Sequence, residues 1–344
     1  MHIQEAALYP YNNFEQLTKE TLMKALINGI WHSNHPDSDT LRAERDRIRT
    51  QFFRSWITAD GSSGFKAERD RYHLYVSYAC PYAHRTILVR KLKKLENIIS
   101  MSVLNPDWGS SDGWVFGGWA DSTLDTVNRH DYLYQIYQQA KPDFTGKVTV
   151  PVLWDKQQGT IVNYESAEIM RMLNNEFDAL GDATVDFYQP DLQAEIDEIN
   201  SFITGRVNNG VYSVGFASTQ AKYDAAIDVL FDALDTLEVR LSNRQFLVGD
   251  RLTEADLRLF VTLVRFDIAY YSALNCNVRR LVDYPNLWNY TRQIYHLPGV
   301  AETVKFDHIK RHYFDTHEGV INRRIIPKGP TVNFDLPLTQ MAVV

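Results

Sequence analysis

Residues 71–106 place the tightest limit on the fold, because a strand-like run, a Cys-Pro step, an amphipathic helix and a second strand-like run succeed one another without interruption. "RYHLYVSYA" (71–79) alternates and is rich in aromatic residues, which suits a pleated strand. A helix is expected over 80–95: Ile87, Leu88, Leu92 and Leu95 recur at helical spacing and leave Arg90, Lys91, Lys93 and Lys94 on a wet face. "IISMSVLNP" (Ile98 to Pro106) reads as the second strand. Strand, helix and strand in this order form a βαβ unit with a right-handed crossover. The first half of the chain is therefore committed to an α/β fold.

"VTVPVLWD" and "GTIVNYESAEIMRMLNNEF" add a strand, a turn, a strand and a helix from Glu165 to about Phe177. Pro151 has no N–H for a ladder and should mark the start of its strand. The intervening "DWGSSDGWVFGGWADSTLD" has three tryptophans among glycines and reads as a functional loop. "DALGDATVDFYQPD" has the composition of a linker, and beyond Asp191 the pattern is helical in four runs. The expected division is a polar, irregular extension over 1–60 wrapping the first domain, an α/β domain over 61–180, an all-helical domain over 190–314 and an extended tail over 315–344.

The 344 residues carry 36 Lys plus Arg against 43 Asp plus Glu, a net charge of −7. With no basic run longer than "RKLKK", no footprint for nucleic acid or an anionic membrane surface is expected. No stretch of about 18 apolar residues occurs, and the N-terminus lacks the basic start and apolar run of a signal peptide. Two cysteines cannot build a disulfide framework, so a reducing, cytoplasmic setting is expected. Ten histidines show no metal-ligand spacing.

Cys80 falls at the strand-to-helix step. A thiol there meets the free amides and partial positive charge of a helix start, which favour the thiolate and make it a nucleophile. The other reading is a small buried hydrophobe. Glu165 and Ser166 open a second helix, whose free amides favour an anion such as a carboxylate; the other reading is an ordinary N-cap. His84 reads as a packed or solvated helix residue rather than a base.

The Cys-Pro-Tyr-Ala step, with the strand that Pro151 opens, resembles the thioredoxin-like fold. That resemblance implies a cis peptide before Pro151, with the Val150 backbone presented to a peptide-like thiol substrate. The Glu165–Ser166 pair resembles the one that holds the γ-glutamyl end of glutathione in glutathione transferases. "LTEADLRLF" resembles a helix start in their all-α domain, where Thr253 caps and Asp256 reaches back, a structural device. Taken in order, "YACPYAHR", "DGWVFGG", "VTVPVLWDK", "IVNYESAEIMRM", "NNGVY", "TLVRFDIAYY" and "VKFDHIKRHYF" closely resemble the xi-class glutathione transferases, also called glutathionyl-hydroquinone reductases, from about Asp60 to Phe314.

The resemblance implies an α/β thioredoxin-like N-terminal domain plus an all-α C-terminal domain, the glutathione transferase architecture. It implies that Cys80 is the nucleophile and that Trp114, Val150 with Pro151, and Glu165 with Ser166 form the glutathione site. Lys147 stands where the family often has arginine, and a lysine keeps the charge without the planar fork that grips a carboxylate twice. Tyr82 replaces the family's tryptophan. By the same resemblance Tyr212 is the proton donor or acceptor, and Tyr270 and Tyr313 supply hydroxyls that stabilise the thiolate. On its own each tyrosine, among 19, would read as core or rim. Glutathione is the implied co-substrate, with no metal, and the other implied substrate is a glutathionylated quinone or hydroquinone. Ala83 occupies the motif's fourth position, so no internal resolving thiol stands there. A homodimer joined through the helical domains is also implied. The rival expectations are an omega-like thiol transferase acting on dehydroascorbate or protein–glutathione disulfides, and a non-catalytic glutathione- or ligand-binding protein whose Cys80 has an ordinary pKa.

Overall fold

The computed structural model describes residues 22–36, 38–108, 111–316 and 325–338; the first 21 residues of the expected extension lie outside them, as do parts of the expected tail. The described chain begins with a hairpin of β1 (Leu22–Ile27) and β2 (Ile30–Pro36), and helix α1 (Asp39–Gln51) comes next. These elements correct the reading of this region as irregular. The hairpin signal is Asn28-Gly29, both in left-handed backbone at φ 47 and 75, as a tight two-residue turn requires. Ser38 caps α1 by accepting from the Leu41 amide at 3.2 Å. Leu26 and Gly146 exchange backbone hydrogen bonds of 3.0 and 2.9 Å, which dock the hairpin on the α/β half.

In that half β3 (Tyr72–Val76) leads through helix α2 (Pro81–Leu92) to β4 (Ser100–Val103), which lies parallel to β3. After α3 (Leu133–Ala140), β5 (Val152–Asp155) pairs antiparallel with β3, and β6 (Thr160–Asn163) pairs antiparallel with β5; α4 (Ser166–Asn175) completes the unit. The strand order β4-β3-β5-β6 puts the Cys80 turn and the Pro151 turn at neighbouring strand ends. Strand β5 begins one residue after Pro151, as the missing N–H requires.

Two expectations about the first helix change. It ends at Leu92, because Lys94 turns left-handed at φ 55, a common helix stop. Lys93, expected on the wet face, is fully buried: past the helical phase its ammonium donates to Asp178 and to Val185 O, both at 2.6 Å. Strand β4 is also shorter than 98–106, since β3 ends at Val76 opposite Val103.

The helical half comprises α5 (Gln193–Ile203), α6 (Gly210–Gly215), α7 (Gln220–Arg240), α8 (Glu254–Arg265), the single turn α9 (Tyr271–Ala273), α10 (Pro285–Tyr295) and α11 (Phe306–Arg311). Every residue of α8 is buried. Its start is the expected capping box: the Asp256 carboxylate accepts from Thr253 N (2.8 Å), Leu247 N (2.9 Å) and Tyr290 Oη (2.8 Å). Helices α5 and α8, expected to run on, pass instead into π-helical turns at Thr204–Asn208 and Phe266–Tyr270, and α11 does so at His312–Thr316.

Residues 325–338 have no regular element but are strapped to the helical half. Phe334 is buried against Trp288, Tyr295 and Phe306, and Arg292 donates to Leu336 O and Pro337 O. Among the described residues no helix is long and apolar enough to cross a membrane.

Candidate active site

Cys80 is the N-cap of α2, where φ −77 and ψ 121 leave the chain extended before Pro81 starts the helix. Its Sγ lies half-buried, 3.7 Å from Val150 O. The Val150–Pro151 peptide is cis. The buried Tyr137 phenol donates to Thr149 O at 2.9 Å and holds the peptide just before this turn. The thiol therefore faces the backbone that the resemblance offers to a peptide-like substrate.

The electrostatics correct a simple expectation of an acidic thiol. Burial pushes the Cys80 pKa up; the Ala83 and Tyr82 amides and the Arg265 and Arg85 guanidiniums oppose that push without overcoming it. The helix start does act on the sulfur, but desolvation outweighs it.

Three tyrosines, distant from one another in the chain, come together beside this thiol. Tyr212 Oη and Tyr313 Oη share a hydrogen bond of 2.6 Å, and Tyr270 Oη is 3.3 Å from Tyr313 Oη. Burial raises all three phenol pKa values, and a Cys80 charge raises Tyr212 and Tyr270 further. The phenols stay protonated at neutral pH and are available as donors. Two of the π-helical turns deliver Tyr270 and Tyr313, and the third ends at Asn208, next to Asn209, whose backbone carbonyl accepts from Tyr212 N at 3.1 Å at the start of α6. Such wide turns collect at functional sites, and helical periodicity does not register them.

Trp114 is nearly buried and stacks on His312, with ring centres 5.5 Å apart and an interplanar angle of 10°. His312 donates through Nδ1 to Pro106 O at 3.0 Å, so the residue before Tyr313 ties the tryptophan loop to the helical half. Lys147 is exposed. Glu165 is the N-cap of α4 and Ser166 its first, buried residue. Fully buried Asn163 sets their position: its Oδ1 accepts from Glu165 N at 2.7 Å, and its Nδ2 donates to Ser55 O and Glu168 Oε2. Tyr82 reaches across the cleft and donates to Asn209 Oδ1 at 2.5 Å, and Arg85 donates to Asn208 Oδ1 at 2.9 Å. His84 is packed between Arg265 and Thr303, in line with its reading as a packed helix residue. Sequence reasoning missed Arg265, Asn163, Asn208, Asn209, Tyr137 and His312; the paired asparagines of "NNGVY" lie in a motif that carries the resemblance, but nothing local to them gives a role. Among the described residues no cluster of His, Cys, Asp or Glu could hold a metal ion.

A thioredoxin-like half whose Cys-Pro helix start faces a cis-proline turn, followed by an all-α half, is the two-domain architecture of the glutathione transferases. Residues 79–176 match the N-terminal domain of glutathione S-transferase and residues 220–293 its C-terminal domain. Glutathionyl-hydroquinone reductase YqjG of Escherichia coli is 49% identical over 322 residues, covering 92% of this chain and 98% of that protein. Glutathionyl-hydroquinone reductase PcpF of Sphingobium chlorophenolicum is 45% identical, covering 90% and 96%. Among solved structures, glutathione-bound YqjG aligns with TM-score 0.84 at 48% identity over 91% of this chain and 98% of that one, and a Xi-class transferase from Natrialba magadii with TM-score 0.86 at 46% identity over 92% and 96%. The chain belongs to the glutathione S-transferase family and, within it, to the Xi class.

Proposed function

We propose that this protein reduces glutathionyl-hydroquinones to hydroquinones at the expense of glutathione, with Cys80 as nucleophile. The observation that carries the reading is the convergence of a helix-start thiol with the phenols of Tyr212, Tyr270 and Tyr313. The Cys80 thiolate attacks the glutathionyl sulfur. A sulfur–sulfur bond forms, the carbon–sulfur bond to the aromatic ring breaks, and its electron pair leaves on carbon, where the Tyr212 hydroxyl delivers a proton. Tyr270 and Tyr313 donate toward the anions at either end of this step. A second glutathione, as thiolate, attacks the Cys80–glutathione disulfide, yielding glutathione disulfide and regenerating Cys80. With Ala83 at the motif's fourth position, the resolving thiol comes from outside the chain.

Glutathione is held, in this reading, by the Val150 backbone, by the α4 start at Glu165 and Ser166, and by Trp114 and Lys147 along the peptide. Its own thiol chemistry suits a reducing cytoplasm, and the family resemblance supports a homodimer joined through the helical halves. The test is turnover of a glutathionyl-hydroquinone with excess glutathione by wild type and Cys80→Ser, measured as loss of conjugate and release of hydroquinone. Loss of turnover in the variant, with glutathione binding kept, supports the reading. No turnover by folded wild type, with reduction of glutathione mixed disulfides instead, replaces it with the omega-like reading.

A further inference from the structure

Arg265, the last residue of α8, is fully buried and grips the turn that ends in Cys80. Its Nη2 donates to Tyr78 O at 2.7 Å and its Nε to Ala79 O at 3.1 Å. Its Nη1 donates to Val261 O at 2.7 Å and to His84 Nδ1 at 3.0 Å. A guanidinium accepts nothing, so His84 Nδ1 is the acceptor and Nε2 carries the hydrogen. That hydrogen goes to Thr303 Oγ1 at 2.7 Å, whose hydroxyl donates on to Val300 O at 2.6 Å.

A buried guanidinium ordinarily meets a carboxylate, and among the described residues none is within ion-pair distance of Arg265. Of the other buried guanidiniums at this junction, Arg258 pairs with Glu254 at 2.9 Å, whereas Arg85 shares with Arg265 the lack of an ion pair among the described residues and donates to Asn208 Oδ1 at 2.9 Å. A buried charge without a counter-charge is costly, and carbonyl dipoles offset only part of that. Besides His84, which it touches, the Arg265 charge acts on the Cys80 thiol, the Tyr270 and Tyr313 phenols and the His312 imidazole. Burial keeps both imidazoles uncharged, with Arg265 adding to the effect. Arg265 draws the pKa values of Cys80, Tyr270 and Tyr313 downward against their burial. Arg85 is the second cation acting on Cys80, with a smaller effect than Arg265; it donates to Asn208 Oδ1 rather than to the backbone of the Cys80 turn.

We infer that Arg265 is a positioning residue whose buried charge is reserved for the anion formed at Cys80: its grip on the Tyr78 and Ala79 carbonyls fixes the sulfur at the helix start, and loss of the thiol proton supplies its missing counter-charge. The inference rests on Cys80 being the nucleophile but not on the identity of the aromatic substrate. It deepens the site with a residue from the opposite half of the chain.

The test titrates Cys80 by its alkylation rate with iodoacetamide across pH, with Cys80→Ser protein as the blank for Cys276. Folding of each variant is checked by its unfolding midpoint. Arg265→Gln should shift the profile upward by about one pH unit, alkylating about tenfold more slowly near neutral pH, while Arg265→Lys, which keeps the charge, should stay within about threefold of wild type. Superimposed profiles for folded wild type and Arg265→Gln would overturn the inference. If the Gln variant does not fold, Cys80→Asp is compared with its isostere Cys80→Asn in the otherwise unaltered chain. The Asp protein should unfold at the higher temperature near pH 7 and lose that advantage near pH 4; an Asp protein less stable than Asn at pH 7 refutes a counter-charge role. Neither readout uses a hydroquinone, so failure of the proposed reaction and failure of this inference remain separable.

Discussion

Tyr212 and Tyr313 meet through a 2.6 Å hydrogen bond between their hydroxyls, although 101 positions separate them in the chain. One phenol can hold the other in line for proton delivery, and Tyr270 stands 3.3 Å behind the second. Tyr212→Phe should lower the turnover of glutathionyl-hydroquinone by about 10²-fold or more, the usual size of a lost general acid. Tyr313→Phe should cost less, because it leaves the Tyr212 hydroxyl in place but unanchored. Steady-state kinetics, with glutathione binding measured separately, decide this; equal turnover in Tyr212→Phe and wild type would remove the tyrosine from the chemistry.

The pH profile reflects two shifts of the same direction. Burial pushes the Cys80 thiol up, so kcat/KM should rise with pH as the thiolate forms. Burial also raises Tyr212 well above its ordinary value of 10.0, so the acid keeps its proton and no alkaline decline should occur below about pH 10. A falling limb between pH 7 and 9 would contradict the assignment of donor and nucleophile.

Lys147 is exposed, and its stem carries one point charge where a planar fork would grip twice. Lys147→Arg should lower the KM for glutathione by about two- to fivefold, the range of an exposed ion pair, with kcat unchanged. Initial rates at varied glutathione concentration give both constants. A changed kcat would place Lys147 closer to the reacting sulfur than its exposure suggests.

Much of this site is legible in the sequence. The Cys80 step, the Pro151 turn, the Glu165–Ser166 helix start and the Thr253–Asp256 cap each have a local chemical signature of a few adjacent residues. Arg265 has none: it sits inside an apolar helical run, and only the packing of α8 under the Cys80 turn gives it meaning. The same holds for Tyr137 and Asn163, whose partners are largely backbone groups that no side-chain pattern displays. The hairpin is a different case, since Asn28-Gly29 between apolar runs is a strong local signal, set among polar residues that read as irregular. Lys93 misleads because helical periodicity does not carry past the helix end at Leu92.

Stability should fall on mild acidification. His73 and His312 are buried and held neutral, with pKa values lowered by desolvation to about 4. Their folded-state values lie below the unfolded value of 6.5, so the stability they carry is fully present above pH 6.5 and is lost as pH falls toward 4. At pH 5 each should cost roughly 2 kcal/mol relative to neutral pH. Urea unfolding at pH 7.5 and pH 5 tests this, and unchanged midpoints would mean the two imidazoles are solvated.

Asp256 is buried and accepts from the Thr253 amide and hydroxyl, the Leu247 amide and the Tyr290 phenol, so its removal orphans two amides, a hydroxyl and a phenol at once. Asp256→Ala should lower unfolding free energy by about 3 kcal/mol or more. Denaturant melts will measure it; a loss below about 1 kcal/mol would mean that water replaces the carboxylate.

The grip of Arg265 on the Tyr78 and Ala79 carbonyls has a consequence for how the two halves can be exchanged. A chain built by grafting the first half onto helices that lack Arg265 and the paired asparagines inherits the thiol but neither the clasp beneath it nor the partners of Tyr82 and Arg85. Modularity here ends short of the chemistry. The unit that must travel together is the Cys80 turn with α8 and the "NNGVY" segment, a mosaic that no single cut in the linker can isolate.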